Sequence, residues 1–446
     1  MEILDIRKFE NIRRFRERKE IHELEDYINS NKPISRIKII SGLRRSGKTT
    51  LLIQTCFRVI EHNPMLIQVQ RGDEVSDILE VLEEYNGKYI FIDEITEIED
   101  IYNINLLFDK ISMQGKKIVI SGTYSMIFNI LLDRILYDRA TILNLEPLDI
   151  TTYKEVLGDI KLDKYLKNNG LFSDFYHNET LIDSLSENIL KSLEKSEIYD
   201  TFELNTVKSI VVACFLRVVW TENIESLQKF KAIGIRNSDI DKINKHLEEK
   251  IKNINPYLNY TDNREIQLVL NELNRFGILK LQNGFNSNSK DKKLIVIPGI
   301  LEYLYGIITE YCINNNIFFS KRAINGFLFE KNMNIQSYLV NNQLKRYHLE
   351  LADIEFDEII QIGPNKYLIV DYKVTNDIEL LKNRLEIDKA INKLKNIFGE
   401  VEFEYRIVFQ GNTSKYKGIK IQNTLEFFKE MGKLEVHRDP TIGWWQ

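Results

Sequence analysis

In "SGLRRSGKTT", residues 41 to 50, Gly42 is followed after four residues by Gly47-Lys48-Thr49. Glycines at that interval let the backbone from Gly42 through Leu43, Arg44, Arg45, Ser46 and Gly47 curl so that successive N–H groups face one point. A helix opening at Lys48, Thr49 and Thr50 adds its positive end. That cradle suits a polyphosphate: Lys48 reaches the β and γ phosphates and the Thr49 hydroxyl holds magnesium. Its partner is "YIFIDE", whose apolar run Tyr89 to Ile92 ends in Asp93 and Glu94. Asp93 belongs to the magnesium shell and Glu94 orients and polarises an attacking water, so the nucleotide is expected to be hydrolysed rather than only held.

A third run, "KIVISG", ends in Ser121, Gly122 and Thr123. If it neighbours the Asp93 strand, Ser121 or Thr123 lies beside the γ-phosphate and senses it; otherwise these residues only cap the strand. Arg134 and Arg139 follow, as candidates for positive charge at the transition state or as solvated arginines. Far downstream lies a second set. Glu330 sits on a helical pattern, Asp357 on a strand-like run with Asp353 as its competitor, and Asp371-Tyr372-Lys373 at the end of the next run. Alternation places Asp371 and Lys373 on one strand face, and the Gly-Pro-Asn turn between the runs folds Asp357 opposite them. Carboxylates that hold hard cations, with a lysine beside the attacking water or leaving charge, are what phosphodiester hydrolysis needs.

The elements that must position these groups can also be read. "RIKIISG", "MLIQVQ", "KYIFIDE", "KKIVISG" and "ATILNL" are short apolar runs separated by helical patterns such as "DEVSDILEVLEEY". Strands alternating with helices predict an α/β fold, with a mostly parallel sheet buried on both faces. The middle is helical: "NTVKSIVVACFLRVVW" is a core helix, the stretch around Ser238 suits a helix-turn-helix, and "REIQLVLNELNRFGILKLQNGF" a helix running into a wing. The helix over 238–252 mixes lysines with Asp239, Asp241, Glu248 and Glu249, so a DNA grip and a packing lid both stand.

The chain of 446 residues has a net charge of -5, so any nucleic-acid contact must come from a local patch. One such patch is "RKFENIRRFRERKE", with seven Lys/Arg between 7 and 19, read as a basic helix that touches phosphate or a neighbouring subunit, or as a solvated face. Cys56, Cys214 and Cys312 are too scattered for a disulfide framework or a Cys-based zinc site. The apolar run Ile210 to Trp220 is short and broken by Arg217, so no membrane segment is expected and the cytoplasm is the expected location.

In order, "IKIISGLRRSGKTTLL", "YIFIDEI", "IVISGTYS" and "DRATILNLEPLDITTYKEVL" resemble the prokaryotic AAA+-type P-loop ATPases related to the archaeal ATPase group. The resemblance implies ATP and Mg2+ as ligands and makes Arg139 and Pro147-Leu148 the end of the ATPase core. It also implies a winged-helix segment, with Pro298-Gly299 at the junction to a last domain resembling restriction endonucleases. There the acidic set is similar to a PD-(D/E)XK nuclease core, with Asp357 and Asp371 as metal ligands, Lys373 as catalytic cation and Glu330 as helper; the proline before Asp357 is missing.

The expected organisation is an ATPase domain over 1–157, a helical and winged-helix-like region over 158–300, and a nuclease-like domain over 301–446. Two functions remain open: ATP-linked control of a nuclease acting on DNA or RNA, and an ATP-driven switch whose last domain only recognises a partner. A protein partner or a second copy of the chain fits either, and Trp444 and Trp445 are a docking candidate.

Overall fold

The computed structural model describes residues 1–30, 37–123, 140–158, 181–195, 264–285, 292–297, 300–350, 355–384 and 387–434, with isolated positions between them. Arg134, Arg139, Asp353, Pro298-Gly299, Trp444-Trp445 and most of the expected helix-turn-helix around Ser238 lie outside the described residues.

The first sheet contains β1 (Glu2–Ile3), β2 (Ile37–Gly42), β3 (Met65–Gln68), β4 (Tyr89–Asp93), β5 (Lys117–Gly122) and β6 (Ala140–Leu145), in the order β1-β3-β4-β5-β2-β6. All pairings are parallel except β1 against β3, so the sheet is mixed. Helices lie between and before the strands: α1 (Glu10–Arg13), α2 (Ile21–Asn29), α3 (Lys48–Phe57), α4 (Val75–Glu83) and α5 (Ile104–Met113). Period-two alternation sends Ile37, Ile39, Ile90, Ile92, Ile118 and Ile120 to one face against α4 and α5. It sends Ile40, Phe91, Val119 and Leu143 to the other, against α2 and α3. Strands with both faces buried are why these segments read as near-continuous apolar runs.

The basic N-terminal stretch departs from expectation: Ile6–Phe9 is a 3-10 turn, α1 is one short helix, and 14–20 are largely irregular. Ile6, Phe9 and Ile12 pack against the α2–α3 side of the sheet, but beyond them arginines three and four residues apart would repel one another on a continuous helix.

After α6 (Ile150–Leu157), the helix α7 (Leu181–Lys195), α8 (Arg264–Arg275) and the antiparallel hairpin of β7 (Leu279–Gly284) and β8 (Lys292–Ile295) share one apolar cluster with α9 (Ile300–Asn314) and α10 (Lys321–Val340). Leu43, in the loop that follows β2, is buried in that same cluster.

The hairpin extends a second sheet, of order β13-β14-β12-β11-β10-β9-β7-β8. Its members are β9 (Arg346–Glu350), β10 (Glu355–Gly363), β11 (Lys366–Lys373), β12 (Glu402–Phe409), β13 (Ser414–Tyr416) and β14 (Ile419–Asn423). Strands β9, β10 and β11 form an antiparallel meander. Helices α11 (Ile378–Arg384) and α12 (Ile387–Phe398) then carry the chain across to β12, which pairs in parallel with β11. On one face pack α10 and α13 (Thr424–Met431), with Leu148, Ile150 and Tyr153 of the first domain's end; on the other packs α12. Among the described residues no helix is long and apolar enough to cross a membrane.

Candidate functional site

The loop between β2 and α3 owes its shape to two residues with left-handed backbones, Arg45 (φ 67°) and Gly47 (φ 92°). Alternating hand turns consecutive N–H groups to one side, the concavity that binds anions. Ser46 N–H donates to the Leu43 carbonyl at 3.1 Å and Leu51 N–H to the Gly47 carbonyl at 2.9 Å, which fixes the loop to the start of α3. Lys48 is buried and donates from Nζ to the Gly42 and Leu43 carbonyls at 3.1 and 3.0 Å. Burial, and then Arg44 nearby, lower its pKa, while Glu94 and Asp93 oppose the shift. Thr49 is exposed in the first turn of α3, where its hydroxyl can meet an ion. Arg44 reaches out of the loop to pair with Glu187 of α7 at 3.8 Å.

Strand order decides what faces this loop. Strand β5 lies between β2 and β4, so the C-terminal ends of all three meet at the cradle. The Ser121 hydroxyl donates to Asp93 Oδ1 and accepts from the Glu94 N–H at 3.3 Å, one group fixing both acids. Glu94 adopts φ 53°, uncommon for a non-glycine residue and a form of local strain that gathers at functional positions. Its pKa is raised, first by burial and then by Asp93 and Glu97, against the pull of Lys48. Thr123, the other sensing candidate, is buried and its N–H donates to Thr96 Oγ1 at 3.3 Å. Lys48, Asp93, Glu94 and Ser121 thus come together; Arg139 cannot be placed because it lies outside the described residues.

The second set also converges. Register across the β10–β11 hairpin places Asp357 opposite Asp371, and Asp357 N–H donates to Asp371 Oδ1 at 3.4 Å. Tyr372 N–H donates to Asp357 Oδ2 at 2.7 Å, and Lys373 Nζ lies 3.8 Å from Asp357 and 4.0 Å from Asp371. Burial drives the Asp357 carboxyl well above its usual range, the nearby charges of Glu330 and Asp371 add to this, and Lys373 opposes it. Among the described residues no three His, Cys, Asp or Glu side chains converge to hold a metal, and Glu330 is close enough for its charge to act on Asp357. Beside Lys373 opens a cavity of about 390 Å³, lined also by Ser320, Arg322, Thr375 and Leu381.

Three contributors have no signature in the sequence. The Tyr405 hydroxyl, on β12, donates to Asp371 Oδ2 at 2.6 Å. Arg346 forms a buried pair with Glu358 at 2.9 Å, to which Tyr372 also donates at 2.7 Å. Arg18 donates to the Ser46 carbonyl of the β2–α3 loop at 2.7 Å. Each depends on a contact between distant segments, which spacing does not encode.

Comparison with curated protein sequences finds no match. Similar solved structures include the Aeropyrum pernix ORC1 protein in complex with DNA, 12% identical over 68% of this chain and 92% of that chain, with a TM-score of 0.27. They also include domain III of the Thermotoga maritima replication initiation protein DnaA, 14% identical over 49% and 91%, TM-score 0.26. The Thermotoga maritima RuvB Holliday junction branch migration motor is 14% identical over 64% and 91%, TM-score 0.23. Residues 34–154 match a family model described as AAA domain, a span that contains the loop at 42–49, Asp93, Glu94 and Ser121. The segment holding the nucleotide-type site is therefore similar to AAA domains, and the rest of the chain lies outside that match.

Proposed function

We propose that the chain binds ATP with magnesium at the β2–α3 loop and hydrolyses it, and that the second acidic site is a phosphodiester-cleaving centre under the control of that ATPase. The observation that carries the first part is the meeting of Lys48, Asp93, Glu94 and Ser121 at the ends of three adjacent strands. The donor set fits the ligand: loop amides and Lys48 for the phosphates, the exposed Thr49 hydroxyl and Asp93 for the ion. Magnesium, held there, would supply positive charge to the phosphates. Glu94 holds and polarises the attacking water, and Ser121 keeps Asp93 and Glu94 in register. Lys48, already facing both acids, adds positive charge where the γ-phosphate departs.

For the C-terminal domain, support comes from the meander β9-β10-β11, the helical crossover to parallel β12, and two buried aspartates with a lysine between them. Asp357 and Asp371 are the oxygen donors that would hold a hard cation, which would supply Lewis-acid charge at a phosphodiester. The alternative is a switch in which this domain only recognises a partner. Its support is that no third carboxylate completes the pair among the described residues.

Nucleotide binding and phosphate release separate the steps. Lys48→Ala is expected to abolish ATP binding, and Glu94→Gln to bind ATP while turnover falls by roughly 10²–10⁴-fold; normal turnover by either sinks the ATPase reading. DNA and RNA, single- and double-stranded, incubated with magnesium or manganese with and without ATP, test the second part. Cleavage abolished by Asp371→Ala supports the nuclease; no cleavage with ATP hydrolysis intact selects the switch.

A further inference from the structure

Six of the seven Lys/Arg at 7–19 are exposed, as a solvated face requires, yet the stretch carrying them is pinned to its neighbours. Arg13 lies over the Phe57 ring at 5.7 Å, and Arg16 pairs with Glu155 at 3.1 Å. Gln54 of α3 donates to the Phe15 carbonyl at 3.0 Å, and Arg58 pairs with Glu17 at 2.7 Å. The stretch is thus a strap laid along the helix that the phosphate loop opens.

At its end Arg18 is buried, 7% exposed. Its Nη1 donates to the Ser46 carbonyl at 2.7 Å and Nη2 to the Glu146 carbonyl at 2.9 Å, while Glu20 holds Nε and Nη2 at 3.2 Å each. Burial would push the Glu20 carboxyl up, yet the Arg18 guanidinium holds it below the usual range, so the pair is a fixed unit. Ser46 lies inside the loop. The peptide joining Ser46 to Gly47 is planar and trans, so its C=O and N–H point in opposite directions. A donor that grips the carbonyl from behind therefore aims the Gly47 N–H forward, and glycine with φ 92° has little intrinsic preference to hold that plane by itself.

We infer that Arg18 is a positioning residue for nucleotide binding, fixing the Ser46–Gly47 peptide so that its N–H faces the phosphates. This rests on the nucleotide reading of the loop. The second hydrogen bond ties the same guanidinium to Glu146, just beyond the end of β6, whose last residue Leu145 abuts Gly42. Arg18 therefore braces both ends of the cradle against the sheet.

The test uses the full chain with Arg18→Gln, Arg18→Lys and Lys48→Ala, titrated with a fluorescent ATP analogue and magnesium, alongside steady-state ATPase assays. Arg18→Gln is expected to weaken nucleotide affinity roughly ten- to a hundredfold, with turnover at saturation within about threefold of wild type. Arg18→Lys, whose single ammonium cannot serve both carbonyls in the same geometry, falls in between. A merely structural arginine would lower the thermal midpoint and the active fraction without this split of KM from kcat. Wild-type affinity in folded Arg18→Gln, while Lys48→Ala fails to bind, overturns the inference alone; no binding by the wild type overturns the nucleotide reading with it. Should Arg18→Gln not fold, unchanged affinity in Arg18→Lys is the overturning result.

Discussion

Gly42→Ala tests whether the cradle depends on close approach rather than on backbone freedom. Gly42 is not among the positive-φ glycines; its constraint is space. A Cβ there would sit 2.8 Å from the Leu145 carbonyl oxygen, 2.8 Å from Ser46 Oγ and 3.1 Å from Leu145 Cβ. Strands β2 and β6 pair in register from Ile37↔Ala140 to Gly42↔Leu145, so Leu145 cannot retreat without opening the ladder. Ser46 is 1% exposed and has no room either. Overpacking of this kind costs about 1–3 kcal/mol, and a site with a backbone neighbour belongs in the upper part of that range. The strain is relieved by moving the loop, which misaims amides toward the phosphates. Losing one hydrogen bond to a charged group costs about 1.5–3 kcal/mol, or roughly ten- to a hundredfold in affinity. Urea denaturation and nucleotide titration measure both effects. Gly306→Ala, where nothing lies within 4 Å of the added carbon, is the control and should stabilise helix α9 by about 0.5–1 kcal/mol. Wild-type stability and affinity in Gly42→Ala would refute the packing argument.

Two further outcomes follow from charge. Because the Glu94 pKa is raised in the free protein, the acidic limb of kcat/KM for ATP should lie above the ordinary carboxylate value of about 4.3. A pH–rate series that stays flat down to that value contradicts the assignment. Asp357 is pushed well up by burial, so its ionisation costs stability, and that cost appears as pH rises through its folded pKa. Asp357→Asn, which keeps an acceptor for the Tyr372 N–H, is expected to raise the thermal midpoint at neutral pH and to converge with wild type in acid. A lower midpoint at neutral pH counts against it.

The first domain was legible because its groups lie at strand ends, where the apolar run and the polar step that follows are contiguous. Thus "YIFIDE" yields both β4 and Asp93-Glu94. The pairing of Asp357 with Asp371 was legible for a similar reason, since a short turn fixes the hairpin register. The basic stretch was not, because the contacts of Arg16, Arg18 and Lys19 are with carbonyls and a carboxylate of distant segments. Tyr405 was hidden as well: on β12 it alternates like any half-buried aromatic, and only the parallel pairing with β11 brings it to Asp371.

Helix α10 has a further mechanical meaning. Near its middle it carries Glu330, beside Asp357. Eight residues on, Tyr338 donates to Glu146 Oε1 at 3.0 Å, Gln336 accepts from the Ile150 N–H at 2.8 Å, and Lys19 reaches the Leu339 carbonyl at 3.4 Å. That separation is about 12 Å of continuous α-helix, stiff over such a span. The helix that carries Glu330 is therefore a rod held at its far end by the segment that follows β6. A displacement of residues 146–150 would therefore be carried along α10 toward Glu330 and Asp357.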